Sequence, residues 1–339
     1  MSRASQARRI AVAAAYGGGG LGLLTAGAFG LIRAEASFAR RAIGEPTETP
    51  LDADGVYGRP HGGEPISLVV LGDSSAGGLG VDHPHQTPGA MMAAGLAEVA
   101  DRPVRLKVAA FVGAQSSSLD EQIDRIADAR PAVAVIMIGV NDVTHRVRPA
   151  TAVRHLDDAV RRLRDMGAEV VVGTCPDLGT VEPVPQPLRW IARRSSRALA
   201  AAQTIAIVDA GGRSVSLGDI LGPEFAASPA EMFGPDGFHP SAAGYASAAA
   251  VLLPSLGAAI GVWSEADEEL RPDLARGEGV RPVSVAAAEA ANVAGTEVAG
   301  AQVAGHDRGP RGQWALLRRR PGKAAPEVQA TAEHSRDGN

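Results

Sequence analysis

Four short stretches carry side chains suited to one chemistry. Gly72-Asp73-Ser74, Phe111-Val112-Gly113-Ala114, Gly139-Val140-Asn141-Asp142 and Asp236-Gly237-Phe238-His239-Pro240 together hold a hydroxyl, a glycine amide, a side-chain amide, an imidazole and a carboxylate. Acyl transfer needs that inventory. A serine attacks a carbonyl efficiently only when a base takes its proton, and His239 is the candidate base for Ser74. The other ring nitrogen of such a base needs an acceptor that fixes its tautomer and orientation. Asp236, three residues earlier, reaches it if the segment bends as a turn. The tetrahedral intermediate needs donors aimed at its oxyanion. The backbone amides of Ser74 and Gly113 and the side-chain amide of Asn141 are the candidates. A Cβ at 113 would obstruct close approach, and a carboxylate at 141 would repel the oxyanion.

These residues work together only if the fold gathers them. Short apolar runs rich in Val and Ile predict strands over 67–71, 104–111, 133–138, 169–174 and 205–209. Helical patterns lie between them, over 88–100, 118–129, 151–166 and 188–203, and a last helix over 242–260 follows His239-Pro240-Ser241. Strands that are apolar throughout are buried on both faces. The alternation therefore predicts an α/β protein: a parallel sheet of about five strands with helices on each side, a doubly wound three-layer α/β/α sandwich. In such sheets ligands bind outside the carboxyl ends of the strands. Ser74, Gly113 and Asn141 follow three predicted strand ends, and His239 lies in the loop entering the last helix.

Other polar residues have simpler readings. Asp73 and Asp142 are assigned to hydrogen bonds within their own turns. Ser75 is the neighbour of the nucleophile. His83 and His85 have no evident third ligand, His145 reads as a surface-loop residue near the crevice, and Cys175 as a small buried residue. Because Cys175 is the only cysteine, no intramolecular disulfide forms and a cysteine-based zinc site is disfavoured. No metal or organic cofactor is expected. Arg189, Arg193 and Arg197 recur every four residues, with Arg194 beside them. They predict a solvated basic helix face, with an anionic substrate or a membrane as the alternative. The net charge of −5 gives no footprint of nucleic-acid binding.

The two ends differ from the middle. Residues 10–32 carry no charge, and these 23 residues would reach about 34 Å as a helix, enough to span a bilayer. Arg3, Arg8 and Arg9 precede the run; Arg33, Arg40 and Arg41 follow it. Residues 1–41 thus read as a membrane anchor. Ala26-Gly27-Ala28 resembles a cleavage site and keeps a secreted, signal-cleaved form open. The early basic flank favours an amino terminus in the cytoplasm and a catalytic domain outside it. Residues 42–65 read as a linker, 66–262 as the catalytic domain, and 263–339 as a disordered low-complexity tail with a short Val-Ala-Gly repeat and a basic segment at Arg318-Arg319-Arg320.

The four stretches, in this order, resemble the blocks of the SGNH/GDSL hydrolase superfamily of esterases, lipases, thioesterases and acyltransferases. Ser74, Gly113, Asn141 and His239 match its four defining residues, "GVND" its Gly-x-Asn-Asp block, and "DGFHPSAAGY" its Asp-x-x-His-Pro block. The first block departs in carrying Ser75 where leucine is common, and the second is reduced to Gly113 in "FVGAQSSS". The resemblance covers roughly residues 66–260. It implies a flavodoxin-like sheet, with Ser74 as nucleophile, His239 as base and Asp236 as the third triad member. It further implies a serine esterase or lipase that cleaves small-molecule or lipid carboxylic esters through an acyl-enzyme. An acyltransferase that passes the acyl group to a sugar or lipid hydroxyl, and a non-catalytic binding module, are the alternatives.

Overall fold

The computed structural model describes residues 49–262, the helical positions 30, 31, 33–38 and 41, and the backbone of two short strands further on. The sheet contains β1 (Gly55–Tyr57), β2 (Ile66–Gly72), β3 (Val104–Val108), β4 (Val133–Met137), β5 (Glu169–Gly173) and β6 (Arg213–Val215), in the spatial order β1-β3-β2-β4-β5-β6. All neighbours pair parallel except β1, which runs antiparallel to β3. The helices are α1 (Pro88–Ala100), α2 (Leu119–Arg125), α3 (Val140–Thr144), α4 (Pro149–Asp165), α5 (Leu188–Asp209), α6 (Leu217–Ala227), α7 (Pro229–Met232) and α8 (Ala242–Ala259).

The two-sided burial of β2 sets the layers. Leu68 and Val70 face one core with Met92 and Leu96 of α1, Leu221 of α6 and Leu252 of α8. Val69 and Leu71 face the other core with Ile123 of α2, Leu156 and Leu163 of α4 and Ile207 of α5. Successive side chains of a strand point to opposite faces, so an unbroken apolar run feeds both layers. This is the expected three-layer α/β/α sandwich. Helix α8 is long and apolar enough to cross a membrane. Here it lies inside the domain, with Tyr245, Leu252 and Leu256 fully buried.

Three expectations need correction. Residues 205–209 are the last turns of α5, and the strand they were to form lies later, at β6. Ser196, Leu199, Ala200, Gln203, Thr204 and Ile207 make one continuous buried stripe at helical spacing, so burial holds the β-branched residues in the helix. Part of the stretch read as a linker is strand β1, held by Asp54, whose carboxylate accepts from the Val108 amide at 2.7 Å and from Lys107 at 2.5 Å. The stretch after β6 holds helices α6 and α7, which carry no strong periodic signal. Within 263–339, Ala301–Val303 and His306–Arg308 pair as an antiparallel ribbon. The rest of the expected tail, and residues 1–29, 32, 39 and 40 of the expected anchor, lie outside the described residues.

Strand β2 ends at Gly72, where φ is 141°. A Cβ there would collide with the carbonyl oxygen of Met137 on β4. Gly72→Ala should therefore cost about 2–3 kcal/mol of stability through backbone strain and overpacking. Urea denaturation measures this, and an unchanged midpoint would show that the strand end relaxes freely.

Candidate active site

Buried amides hold the strand ends that carry the site. Gln122 of α2 is fully buried. Its Oε1 accepts from the Gly72 amide and its Nε2 donates to the Gly72 carbonyl, both at 2.8 Å. Gln203 of α5 does the same between two other strands: Oε1 accepts from the Cys175 amide at 2.8 Å, and Nε2 donates to the Ile138 carbonyl at 3.0 Å. Backbone groups leaving a sheet lose their ladder partners and must find others. These two glutamines supply them. Gly139, with φ of 139°, mirrors Gly72, and a Cβ there would come within 2.8 Å of Cys175 Cβ.

From Gly72 the chain turns tightly. The Asp73 carboxylate accepts from the Ser75 amide at 2.9 Å, and the Ser74 carbonyl accepts from the Leu79 amide at 2.9 Å. The Ser74 hydroxyl lies 3.0 Å from His239 Nε2. On the far side of the ring, His239 Nδ1 lies 2.6 Å from Asp236 Oδ2. The other carboxylate oxygen of Asp236 accepts from the amides of Phe238 at 2.9 Å and His239 at 3.0 Å. The segment thus bends as the turn that the three-residue spacing requires. A carboxylate on one side and a hydroxyl on the other favour the tautomer protonated at Nδ1, a choice made by the partners. Ser74 and His239 are 7% and 5% exposed, so little water competes for these bonds.

Burial and hydrogen bonding act in opposite directions on the nearby acids. Burial alone would raise the Asp236 carboxyl. The hydrogen bonds from the His239 ring and from the amides of Phe238 and His239 outweigh it, and the group lies below its ordinary range. Asp73 is pushed up to about 6 by burial, against the hydrogen bonds from Ser75 and Ala76 and the attraction of His239. Asp142 is also raised by burial, against hydrogen bonds from Ser116.

Asn141 lies beside this turn at the start of α3. Its Nδ2 donates to the Ala114 carbonyl at 3.1 Å, which occupies one of its two amide hydrogens. Asp142 accepts from the Ser116 hydroxyl at 2.8 Å and from its amide at 3.1 Å. Asp73 thus bonds within its own turn as expected, whereas Asp142 reaches across to the loop after β3. Asn141 and Asp142 together hold the Gly113–Ser116 loop against α3. Gly113 is exposed, and a Cβ there would meet no protein atom within 4 Å. The protein itself therefore leaves room for a side chain there, and what favours glycine is its φ of 77°. Sequence reasoning missed Gln122, Gln203 and Ser116. The signal for the glutamines was a polar residue set inside an apolar helical stripe.

The remaining candidates fall elsewhere. His83 and His85 stack on each other with ring centroids 5.4 Å apart. Among the described residues no group of three His, Cys, Asp or Glu could hold a metal ion. His145 is exposed and its Nδ1 lies 2.9 Å from the Asn141 carbonyl. Cys175 is buried, and burial raises its thiol well above the ordinary value. The arginine face is only partly solvated, because buried Asp177 pairs with Arg197 at 2.7 Å and Arg193 at 3.4 Å. Beside the Ser74 turn lies a cavity, part of it open to solvent. Asp73 and Ser75 line it with Leu217, Leu221, Phe225 and Phe233, while Ser74 and His239 are not among its lining residues.

This fold and arrangement define an SGNH-type hydrolase. Residues 70–247 match the model of the GDSL-like lipase/acylhydrolase family. A GDSL-like esterase of Mycobacterium tuberculosis is 42% identical over 260 residues, covering 73% of this chain and 82% of that protein. Among solved structures, TesA is 24% identical with a TM-score of 0.46, covering 57% of this chain and 98% of that one. An acetylxylan esterase of Geobacillus stearothermophilus is 18% identical with a TM-score of 0.45, covering 59% and 96%. The chain belongs to the GDSL-like lipase/acylhydrolase family and is a carboxylic ester hydrolase.

The raised Asp73 carboxyl has a consequence for stability. An acid whose folded value exceeds its unfolded one binds more protons when folded, so its contribution falls as pH rises between the two. For Asp73 that window runs from about 4 to about 6. Asp73→Asn keeps an acceptor for Ser75 and removes the titration. Its stability relative to the parent should climb between pH 4 and pH 6, as read by urea denaturation. A constant difference would contradict the assignment.

Proposed function

We propose that the chain cleaves carboxylic esters in two steps through an acyl-enzyme on Ser74. The observation that carries this reading is the unbroken chain from the Ser74 hydroxyl through His239 to Asp236, at 3.0 and 2.6 Å. Ser74 Oγ attacks the ester carbonyl carbon as His239 Nε2 takes its proton. The carbonyl electron pair moves onto oxygen. The Ser74 amide, the Gly113 amide and the second hydrogen of the Asn141 side chain donate to that oxyanion. The pair then returns, the bond to the alcohol oxygen breaks, and His239 gives the departing alcohol its proton. Water attacks the acyl-serine with the same base, releasing the acid and restoring Ser74. Asp236 keeps its negative charge throughout and stabilises the imidazolium.

In this reading residues 66–262 together with strand β1 are the catalytic unit, residues 1–41 hold it at a membrane on the outer side, and residues 263–339 are dispensable for chemistry. The family match over 70–247 supports the first assignment. The second rests on the uncharged run at 10–32.

Ser74→Ala should abolish labelling by a fluorophosphonate probe, while Ser75→Ala should leave it. The opposite pattern would move the nucleophile to Ser75. Asn141→Ala should lower kcat by about 10²–10³-fold with little change in KM, since the bond it loses strengthens as charge develops. Asn141→Asp should be no better, because it replaces a donor with an ionised acceptor. Asp caps a turn about as well as Asn, so near-parental turnover in Asn141→Asp would leave Asn141 a turn residue only.

A further inference from the structure

We propose that the helical positions 30, 31 and 33–38 and the first turns of α5 form one face that rests on an anionic bilayer surface, so that the crevice takes esters carried in the lipid phase. This goes beyond the anchor assigned above and rests on it. The two segments meet at a buried contact. Glu35 is 7% exposed, and its Oε2 accepts from the Leu188 amide at 2.9 Å, at the amino terminus of α5. A carboxylate suits that end of a helix, where amides are free and the dipole is positive.

The residues around this contact are not buried with it. Leu31 and Phe38 stand four before and three after Glu35, on the same stripe of a helix. They are 51% and 61% exposed, and Trp190, two residues past Leu188, is 60% exposed. These are three of the four large hydrophobic residues exposed among the described residues, the other being Val262. Segments 30–41 and 188–197 carry Arg33, Arg40, Arg41, Arg189, Arg193, Arg194 and Arg197, of which Arg193 and Arg197 pair with Asp177, and Glu35 is the one acidic residue within the two segments. Apolar and aromatic side chains set among arginines match the boundary of an anionic membrane, where rings sit at headgroup level and cations meet lipid phosphates. A purely aqueous surface would leave that apolar area without a partner.

Chain continuity sets the distance. The uncharged run ends at residue 32, three residues before Glu35. Along a helix that is about 4.5 Å. With the run in a bilayer, the Glu35 contact holds Leu188 and Trp190 within about one helical turn of its surface. Helix α5 follows β5, so its amino terminus lies at the carboxyl edge of the sheet, which is the edge of the site. The turn Leu178–Thr180, which lines the cavity, is bound to the same helix. The Leu178 amide donates to Ser196 Oγ at 3.2 Å, and Asp177 pairs with Arg193 and Arg197. The docked face and the cavity rim therefore form one unit.

The test uses the full chain in vesicles of phosphatidylcholine and phosphatidylglycerol. Trp190→Cys and Glu98→Cys each accept one fluorescent label, since Cys175 is buried. Glu98, in the last turn of α1, lies at the opposite edge of the sheet. A quencher attached to lipid should remove more than half of the emission at 190 and leave the label at 98 unchanged. The double variant Phe38→Ser, Trp190→Ser should lose at least tenfold in kcat/KM toward a long-chain ester in the vesicles and keep its rate on a soluble short-chain ester. A sedimenting chain with equal quenching at both positions, or a double variant unimpaired on the vesicle ester, would overturn the membrane face and leave the anchor standing. A chain that stays in the supernatant would overturn both. A parent chain inactive on the soluble ester would count against the ester chemistry itself.

Discussion

No side chain fits at position 72. Strand β2 passes so close to β4 at its carboxyl end that a Cβ would strike the Met137 carbonyl, and φ there is positive. This close approach lets the chain leave the sheet abruptly and present Ser74 at the head of a tight turn. Gly139 repeats the device at the end of the next strand in the sheet, with nearly the same φ. Two strand ends are thus shaped by what glycine alone tolerates. The turn that carries Ser74 and the short helix that carries Asn141 start from those ends.

Polar satisfaction makes that edge rigid. The backbone groups freed at the strand ends are taken up by Gln122 and Gln203, both fully buried. Asp142 and Asn141 then fasten the Gly113 loop, and Asp236 fastens His239 through both the ring and its own backbone. Among the described residues no buried side-chain nitrogen or oxygen lacks a partner. In a low-dielectric interior a complete network of this kind specifies one geometry, and breaking one member costs more than a surface bond would. Ser74 and His239 need no reorganisation to come within hydrogen-bonding distance, which is the preorganisation that acyl transfer uses.

Much of this was legible in the residues. The runs at β2, β4 and β5 read correctly because strands buried on both faces are largely apolar, whereas β3 alternates, with Arg105 and Lys107 exposed between buried Val104 and Leu106. The structure brings Ser74, His239 and Asp236 within hydrogen-bonding distance, and the three-residue spacing between Asp236 and His239 suits the turn that joins them. The run at 205–209 failed because a short β-branched stretch looks the same in a buried helix as in a buried strand. Strand β1 was missed because its three residues are too few for a pattern, and the Asp54 side chain that holds it speaks for itself only in three dimensions. Gln122, Gln203 and the pairing of Asp177 with Arg193 and Arg197 were missed for a common reason. Each satisfies a group distant in sequence, and no local rule encodes such a partner.

A covalent acyl-serine makes a demand that direct attack of water does not. Once the alcohol has left, every ester of one acid yields the same intermediate. Two esters with a common acyl group and different alcohols, turned over in the presence of hydroxylamine, should therefore give the same ratio of hydroxamate to free acid. A ratio that changes with the leaving alcohol would contradict an acyl-enzyme on Ser74.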